Sequence, residues 1–286
     1  MIDELIKKQT HLTPLEEQIA TYFLNVESDL KSTRNVAKNL YTTPSTIVRF
    51  CQKLGFKGFN DFKDALINER NLPASSRINY NYPFDSNDKT THLSHKIGEL
   101  YHHHIKDTLN DLRHDDLNKA LNMISAAQQI IIISSGIQAN LASNFQDKML
   151  KIGKDVVIEY SLDHAYFRAC HQDHTTLFII ISYSGQTPVT LKVAKKIHER
   201  HLPLLSITSQ SDNELSQLSH LSLFVSTKET LIDNLGHFGM NISLLLLLDI
   251  LYALYFNQNY ESHLENRIEV TKGFQTERKS DHPLLK

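Results

Sequence analysis

The residues from Leu177 to Pro188 read LFIIISYSGQTP, and this stretch decides the fold of the second part of the chain. Consecutive apolar residues without polar alternation are typical of a strand that is buried on both faces, as in a parallel sheet. The apolar run ends in a loop of Ser and Thr hydroxyls with one glycine, and Pro188 then suits the first turn of a helix. The stretch therefore predicts a strand, a polar loop and a helix in immediate succession.

The loop has the chemistry of an anion site. Ser and Thr hydroxyls donate to phosphate oxygens, a glycine permits close backbone approach, and the next helix adds unpaired N–H groups. The loop lacks the lysine of a Walker-type nucleotide site, and no glycine stands two residues before Ser184 as in a serine-hydrolase elbow. The alternative is a polar turn that only caps the helix. The predicted ligand-binding residues of this loop are Ser182, Ser184, Gly185, Gln186 and Thr187.

Four further apolar runs flank this one along the chain. They cover residues 130–134, 156–159, 204–208 and 221–225, and stretches of helix length separate them. Alternation of buried strands with helices predicts a doubly wound α/β domain with a parallel sheet of about five strands. In such a sheet, the ligand lies at the carboxyl ends of the strands.

The loop after the first apolar run carries Ser134, Gly136 and Gln138. In an open parallel sheet, this loop can lie beside the loop at 182–187, where Ser134 and Gln138 would complete a polar pocket. It has a single glycine and is therefore not a dinucleotide fingerprint, so we predict no cofactor. We assign Ser134, Gly136 and Gln138 to the ligand pocket.

The sequence before residue 71 is predicted to be helical throughout. Thr13 and Glu16 form a capping box at the start of the first helix. Thr33 can cap a later helix, and Thr43 can cap the next one, which ends at Gly55. This succession predicts a helix-turn-helix, because small and apolar residues fall where two crossing helices bury side chains. These residues are Val36, Ala37, Leu40, Ile47 and Phe50.

The second helix of this pair is predicted to read DNA. It exposes short polar groups at its N-terminal end and a basic residue one turn later, which suits the major groove. Residues 33–77 hold eight basic and three acidic side chains, a local excess that favours phosphate contacts. Tyr41 stands in the turn where many such motifs have glycine, and an ordinary helical hairpin is the alternative. The predicted DNA-binding residues are Thr43, Ser45, Thr46, Arg49, Lys53 and Lys57.

The composition shifts near residues 71–91, where polar residues and two prolines follow one another without a sustained period. This shift indicates a linker between two domains. We predict a helix-turn-helix domain at 1–77, a linker at 78–91, an α/β domain with a leading helix at 92–256, and a C-terminal tail at 257–286.

The composition is that of a globular protein, with 41% hydrophobic and 22% charged residues among 286 and a net charge of −2. Two cysteines argue against a secreted disulfide framework, and the first residues lack the pattern of a signal peptide. The most apolar run, 242–256, carries Asp249 and is shorter than the ~20 residues that span a bilayer. We expect a cytoplasmic protein without a membrane segment, in which this run is a core or dimer-interface helix.

With these residues in place, the sequence resembles the RpiR/MurR-type transcription regulators, which join an N-terminal helix-turn-helix to a C-terminal SIS (sugar isomerase) domain. The resemblance extends from Ile2 to Phe256 and is most specific at residues 45–59 and 181–187. It implies a sugar-phosphate effector, a homodimer or homotetramer built through the SIS domains, and a palindromic operator in double-stranded DNA.

The resemblance also implies roles for individual residues. In the family's SIS relatives, the serines and threonine of the second loop bind the phosphate, which assigns that role to Ser182, Ser184 and Thr187. The first loop of the family usually has the pattern Gly-x-Gly-x-Ser. This chain has Ser134, Gly136 and Gln138 at those positions, so one glycine and the serine are replaced.

Three other interpretations stay open. A sugar-phosphate isomerase with an accessory N-terminal domain would need a base, for which Glu229, His164 and His237 are candidates. Nothing in their spacing singles one out, and a simple isomerase has no use for a DNA-reading domain, so we predict no catalytic residue. In a second interpretation, the SIS domain has lost its ligand and serves only for dimerisation.

The third interpretation is a metal-responsive regulator. His95, Glu99 and His102 recur at helical spacing, with His103 adjacent, and first-row metals bind such ligands. A solvated helix face near the linker explains the same pattern, and we predict no metal site.

Overall fold

The computed structural model describes residues 6, 12–26, 30, 32–71, 78–86 and 88–274. The predicted domain boundary at residue 77 and residues 275–286 of the predicted tail lie outside this part of the chain. The structure divides into two compact units, Met1–Asn79 and Tyr80–Lys286. Each has its own core.

The first unit is built from helices, as predicted. The described ones are α1 (Pro14–Asn25), α2 (Thr33–Asn39), α3 (Pro44–Lys53) and α4 (Phe59–Asn71). The capping box is present at α1, where the Thr13 hydroxyl accepts from the Glu16 amide and the Glu16 carboxylate accepts from the Thr13 amide. Thr43 caps α3 with its hydroxyl alone, which accepts from the Thr46 amide. The prediction for α2 was wrong by one residue, because the side chain of Ser32, and not that of Thr33, accepts from the Asn35 amide.

Phe23 is the centre of the first core. Its ring is fully buried and lies against Phe50, Phe59 and Phe62, with a centroid distance of 4.6 Å to Phe62. The predicted contact side chains between α2 and α3, from Val36 to Phe50, belong to this cluster. Burial of these aromatic rings supplies the main force that holds the four helices together.

The turn between α2 and α3 contains Tyr41 in the left-handed conformation, with φ at 48° and a side chain that is 99% exposed. The Thr42 amide donates to the Ala37 carbonyl at 2.9 Å, which closes the end of α2. A left-handed non-glycine residue carries a local backbone cost, so the buried contacts of α2 and α3 must compensate for it.

The second unit contains the predicted parallel sheet. Its strands, among the described residues, are β1 (Gln129–Ile133), β2 (Asp155–Glu159), β3 (Thr176–Ile181), β4 (Leu204–Ser209) and β5 (Leu221–Val225). All neighbouring pairs are parallel, and the order across the sheet is β2-β1-β3-β4-β5. The predicted strand positions are confirmed to within a few residues.

Helices cover both faces of the sheet. One face packs against α6 (His114–Ala126), α7 (Gly136–Leu150) and α11 (Phe238–Gln258), and α5 (Thr90–Asp111) packs against α11. The other face packs against α8 (Leu162–His171), α9 (Pro188–Glu199) and α10 (Glu214–Leu218). Alternate residues of β1 point to opposite faces, since Ile130 and Ile132 lie in the first cluster and Ile131 and Ile133 in the second.

Helix α11 is the most apolar element. Among the described residues, it alone is long and apolar enough by length and composition to cross a membrane. One side of it, including Leu244, Leu247 and Leu251, is buried in the core against the sheet and its neighbouring helices. This packing accounts for the apolar character of that side, as expected for a core helix.

Two segments outside the predicted α/β domain have defined structure. Residues 80–86, which fall in the predicted linker, belong to the second unit and contact the loop before α11. In the predicted tail, Tyr260–Phe274 forms helix α12, whose His263 is buried and donates from Nδ1 to the Phe256 carbonyl at 2.9 Å.

Candidate functional site

The sheet has a switch point between β1 and β3. These strands are neighbours, but α7 follows β1 on one face and α9 follows β3 on the other. The loops after the two strands therefore separate at the carboxyl edge and leave a crevice, which is where doubly wound sheets bind ligands. A cavity of about 180 Å³ lies at this place.

The cavity brings together most of the predicted pocket residues. The predicted residues that line it are Ser134, Gln138, Ser182, Ser184 and Thr187. The other three predicted residues, Gly136, Gly185 and Gln186, belong to the same two loops but do not line the cavity in the described part of the chain.

Backbone and hydroxyl bonds hold the loop after β3 in shape. The Gln186 amide donates to Oγ of Ser184 at 3.2 Å, and Oγ of Ser184 lies 3.4 Å from Oγ1 of Thr187. Thr187 is the N-cap of α9, but its side chain makes no capping hydrogen bond. The hydroxyls of Ser184 and Thr187 thus sit together at a helix N-terminus, where N–H groups and the helix dipole favour an anion.

Gly185 has a packing role in addition to the predicted one. Its φ is 61°, and a Cβ atom at this position would lie 2.0 Å from Oδ1 of Asn213. Asn213 is buried, caps α10 through that oxygen and donates to Oγ1 of Thr208 through its amide. A glycine is therefore needed for the approach of a neighbouring loop, while the hydroxyls on either side of it face the cavity.

The loop after β1 supplies the opposite wall. Ser134 is buried, and its hydroxyl donates to the Ile181 carbonyl at 3.4 Å. Nε2 of Gln138 lies 3.2 Å from the sulfur of Met240, a weak acceptor that a ligand oxygen can replace. Gly136 begins α7 with φ at 61°, and the space around its missing Cβ is open. The positive φ is therefore sufficient to explain why residue 136 is a glycine.

Sequence reasoning named Glu229 and His237 of the loop between β5 and α11 as candidate bases but assigned no ligand-binding residue to this loop. This loop carries no motif, and only the fold brings it over the pocket. Within it, Leu231 and His237 line the cavity.

Tyr183 is a further lining residue that sequence reasoning did not predict. Its hydroxyl donates to the Glu229 carbonyl at 2.9 Å, and burial, followed by the charge of Glu229, raises the pKa of this hydroxyl. The remaining unpredicted lining residues are Ile133, Ser135, Leu162, Ile181, Thr190 and Met240.

The cavity wall is polar but without formal charge. Among its described lining residues there is no Lys, Arg, Asp or Glu, and His237 is the titratable side chain besides Tyr183. The groups that this wall offers are hydroxyls, amides and an imidazole together with the N-terminus of α9, and not a cationic clamp.

The three candidate bases of an isomerase have different surroundings in the structure, and only one of them lines the cavity. Glu229 is 5% exposed, and its two carboxylate oxygens accept from the amides of Gly239 and Met240 at 2.8 and 3.0 Å. It therefore caps the start of α11. His164 lies on the surface of α8, with Nδ1 3.7 Å from Glu159. His237 alone of the three lines the cavity.

The histidines of the metal interpretation lie on α5, where His95, Glu99 and His102 are exposed and His103 is half-buried. No group of three or more His, Cys, Asp or Glu side chains in the described ranges is arranged to hold a metal ion.

The start of α3 presents a cluster of hydroxyls. Oγ1 of Thr43 lies 2.8 Å from Oγ of Ser45 and 2.9 Å from Oγ1 of Thr46, in addition to its capping bond. Arg49 follows one turn later on the exposed side of the helix, and Lys57 is exposed beyond its end. This arrangement places short polar groups, a helix N-terminus and a guanidinium in the order that a groove-reading helix needs.

Lys53 differs from the other predicted DNA contacts. Its Nζ lies 3.0 and 3.1 Å from the two carboxylate oxygens of Glu16, the residue that completes the capping box of α1. Hydrogen bonds from the Thr13 amide and from Lys53 lower the pKa of the Glu16 carboxyl. The structure therefore places Lys53 in a contact between α3 and α1.

Comparison with known proteins gives two domain matches. Residues 1–71 match the helix-turn-helix domain of the rpiR family, and residues 123–253 match the SIS domain. An uncharacterized HTH-type transcriptional regulator of Clostridium perfringens is 26% identical over 96% of this chain and 98% of its own length. A second one, from Thermotoga maritima, is 28% identical over 89% of this chain and 91% of its own length.

Among solved structures, the NanR protein of Vibrio vulnificus, determined in complex with ManNAc-6P, has a similar fold. It matches with a TM-score of 0.61 at 20% identity, over 98% of this chain and 100% of that one.

Proposed function

This chain belongs to the RpiR-type transcription regulators, with an rpiR-family helix-turn-helix domain and a SIS domain, and on that premise we propose that a phosphorylated sugar bound in the cavity controls its binding to operator DNA. The observation that carries the proposal is the pairing of Ser184 and Thr187 hydroxyls at the N-terminus of α9 beside a polar cavity. Hydroxyls and helix N-terminal amides bind phosphate oxygens, and no carboxylate of the described lining opposes a negative charge.

The fold of the Vibrio vulnificus NanR protein supports the same class of ligand, because that protein was solved with ManNAc-6P. Ser182, Ser184 and Thr187 would hold the phosphate, while Ser134 and Gln138 would face the sugar. Gly136, Gly185 and Gln186 would act through the shape of the two loops. A cavity of about 180 Å³ has room for a compact polar ligand of this kind.

The DNA half of the proposal rests on α3. Thr43, Ser45, Thr46 and Arg49 would enter the major groove, and Lys57 would contact a phosphate of the backbone. Lys53 would act indirectly, by its contact with Glu16. An effector changes operator binding only if it binds one arrangement of the protein more tightly than another.

We infer a homodimer or homotetramer that binds an inverted repeat, because two-fold symmetric helix-turn-helix proteins bind half-sites on successive turns of one DNA face. Helix α11 offers a surface for this pairing. Its side away from the core carries partly exposed apolar residues, among them Ile250 and Leu254, beside a groove formed with α12. Residues 93–112, which cover most of α5 and its C-cap Leu112, would form a second pairing segment.

We infer further that the protein acts in the cytoplasm and does not catalyse a reaction. Its relatives bear the names of transcriptional regulators. Both carboxylate oxygens of Glu229 accept from backbone amides at the start of α11, which is the arrangement of a structural helix cap.

The experiment that tests the proposal compares the full-length protein with Ser184→Ala. A duplex selected by the protein from random DNA serves as operator, and a panel of hexose 6-phosphates serves as effector. We expect one sugar phosphate to raise the Tm of the native protein and change its operator affinity, and Ser184→Ala to lose both responses with operator affinity kept. The control is Ser125→Ala, an exposed serine on α6 outside the cavity. A normal response of Ser184→Ala would overturn the phosphate assignment.

A further inference from the structure

The loop between β5 and α11 contains a histidine whose ring orientation and tautomer are set by a neighbouring amide. His237 lines the cavity and has the left-handed conformation, with φ at 51°. It stands at the N-cap of α11 but makes no side-chain capping bond. The left-handed conformation is uncommon for a non-glycine residue and points to a function of the side chain.

Asn234 makes a complete set of hydrogen bonds around this histidine. Its Oδ1 accepts from the amides of Gly236 and His237, both at 2.9 Å. Its Nδ2 donates to the Thr230 carbonyl at 2.7 Å and lies 3.2 Å from Nδ1 of His237. The two backbone donors determine which end of the amide is oxygen, so Nδ2 must face the histidine.

This orientation determines the proton position on His237. Since Nδ2 of Asn234 is a donor, Nδ1 of His237 must be the acceptor, and in a neutral ring the proton is then on Nε2. Among the described residues, no side chain or backbone group forms a hydrogen bond with Nε2. The cavity wall therefore contains an imidazole ring that is held in one orientation, with its N–H at Nε2 and its centroid 6.5 Å from the ring of Tyr183 in the loop after β3.

We propose that His237 is a ligand-binding residue that donates from Nε2 to a neutral acceptor oxygen, a hydroxyl or carbonyl, on the sugar part of the ligand, with Asn234 as its positioning residue. The proposal rests on the proposed function and deepens it. The hydroxyls around Ser184 recognise the phosphate, which all sugar phosphates share. His237 then contributes to the choice among sugars.

The same network reaches the segment that precedes the second unit's first helix. The Thr230 amide donates to Oδ1 of Asn81 at 2.8 Å, and the Leu235 amide donates to the Asn81 carbonyl at 2.9 Å. Tyr82 adds a bond from its hydroxyl to Asp233. Asn81 is the second residue after the first unit in the sequence, so we infer that a ligand bond to His237 can act on this segment through Asn234 and Thr230.

A binding experiment with the full chain separates this inference from the proposed function. The probes are glucose 6-phosphate, fructose 6-phosphate, glucosamine 6-phosphate, ManNAc-6P and inorganic phosphate, each titrated calorimetrically. The variant is His237→Asn, because asparagine tolerates the left-handed conformation but is too short to replace the ring. We expect it to weaken binding of the preferred sugar phosphate about 5- to 20-fold, the loss of one hydrogen bond, and to change inorganic phosphate binding less than about twofold.

The control is Ser184→Ala, which should weaken both kinds of probe. If the wild-type protein binds none of the sugar phosphates, the proposed function fails and the inference fails with it. If it binds one of them and His237→Asn binds that ligand as tightly, or loses phosphate to the same extent, only the inference fails.

The tautomer has its own test, which needs no ligand. Long-range ¹H–¹⁵N spectra at pH 8, with His237 identified by its loss in His237→Asn, should show a neutral ring protonated at Nε2. In Asn234→Asp, a carboxylate oxygen replaces the donor, and the proton should appear on Nδ1. A wild-type ring protonated at Nδ1 would contradict the positioning role of Asn234.

Discussion

Two glycines with the same φ differ in the space around them, and therefore in the reason why a glycine is needed. Gly136 and Gly185 both have φ at 61°, and each stands in one of the two loops around the cavity. The space beside Gly136 is open, whereas a Cβ at Gly185 would collide with the buried side chain of Asn213. Sequence reasoning assigned Gly185 to ligand approach, which stays a prediction, and the structure adds a second requirement for glycine in the packing of one loop on another.

The pair gives a prediction for stability. Gly136→Ala should cost about 1 kcal/mol, the penalty for a left-handed alanine. Gly185→Ala should cost about 2–4 kcal/mol, because it adds the displacement of Asn213 to that penalty. The free energy of unfolding, measured by urea denaturation of both variants, checks the difference. Equal losses would mean that Asn213 moves aside without cost.

At the scale of elements, α3 carries the DNA prediction. Its cap at Thr43 and its buried side are built from local sequence signals, and its exposed side combines Arg49 with hydroxyls. Lys53, one turn beyond Arg49, also contacts Glu16 of α1 in an exposed ion pair, and its contact with DNA stays a prediction.

The exposed residues of α3 and its C-terminal end should differ in their effect on DNA binding. Arg49→Ala should weaken binding to the selected operator by about 1–3 kcal/mol and affect random DNA much less, if the guanidinium contacts a base. Lys57→Ala should weaken binding to both DNAs and reduce the salt slope by about one. Fluorescence anisotropy at several salt concentrations measures both. A uniform loss in Arg49→Ala would place Arg49 on the phosphate backbone.

The connection between the loop before α11 and residues 80–86 is a second feature at this scale. Asn81 is 6% exposed, and its side chain and backbone carbonyl accept from Thr230 and Leu235. Asn81→Ala should leave effector binding nearly intact, since Asn81 does not line the cavity, but reduce the change in operator affinity that the effector causes. Asn122→Ala on the exposed side of α6 is the control. An unchanged response of Asn81→Ala would exclude this route.

At the scale of the whole molecule, each unit has its own core, and polar groups are buried in the second one. His104 of α5 is fully buried, with Nδ1 2.8 Å from Oγ of Ser226 and its ring against that of Tyr80. Gly239 permits this placement, because a Cβ there would lie 2.1 Å from the ring. Burial lowers the pKa of His104 from 6.5 to about 4, and the charge of Lys228 acts in the same direction.

This histidine should make stability depend on pH. Below pH 6.5 the unfolded chain binds a proton that native His104 takes up only near pH 4, so stability falls as the pH falls through this window. The full loss is about 3 kcal/mol. Unfolding free energies of wild type and His104→Asn between pH 4 and 7 measure it, and the variant should have the shallower slope. The exposed His171→Asn is the control, and equal slopes in all three proteins would contradict the prediction.

The sequence alone determined the helix-turn-helix, the order of strands and helices along the chain, and the two polar loops that meet at the cavity. These features depend on contacts between near neighbours, such as the caps at Thr13 and Thr43 and the apolar runs of the strands, so local patterns suffice to predict them. The predicted roles of the individual site residues, and the domain boundaries within the linker, stay predictions.

Only the tertiary structure decided which residues from distant segments complete the site. It brought His237 and Leu231 over the crevice, paired Lys53 with Glu16, placed Glu229 as a helix cap, and set Asn213 against Gly185. None of these contacts has a sequence pattern, because each joins segments whose proximity follows from the packing of helices on both faces of the sheet. Chemistry that arises from such packing is visible only once the chain is folded.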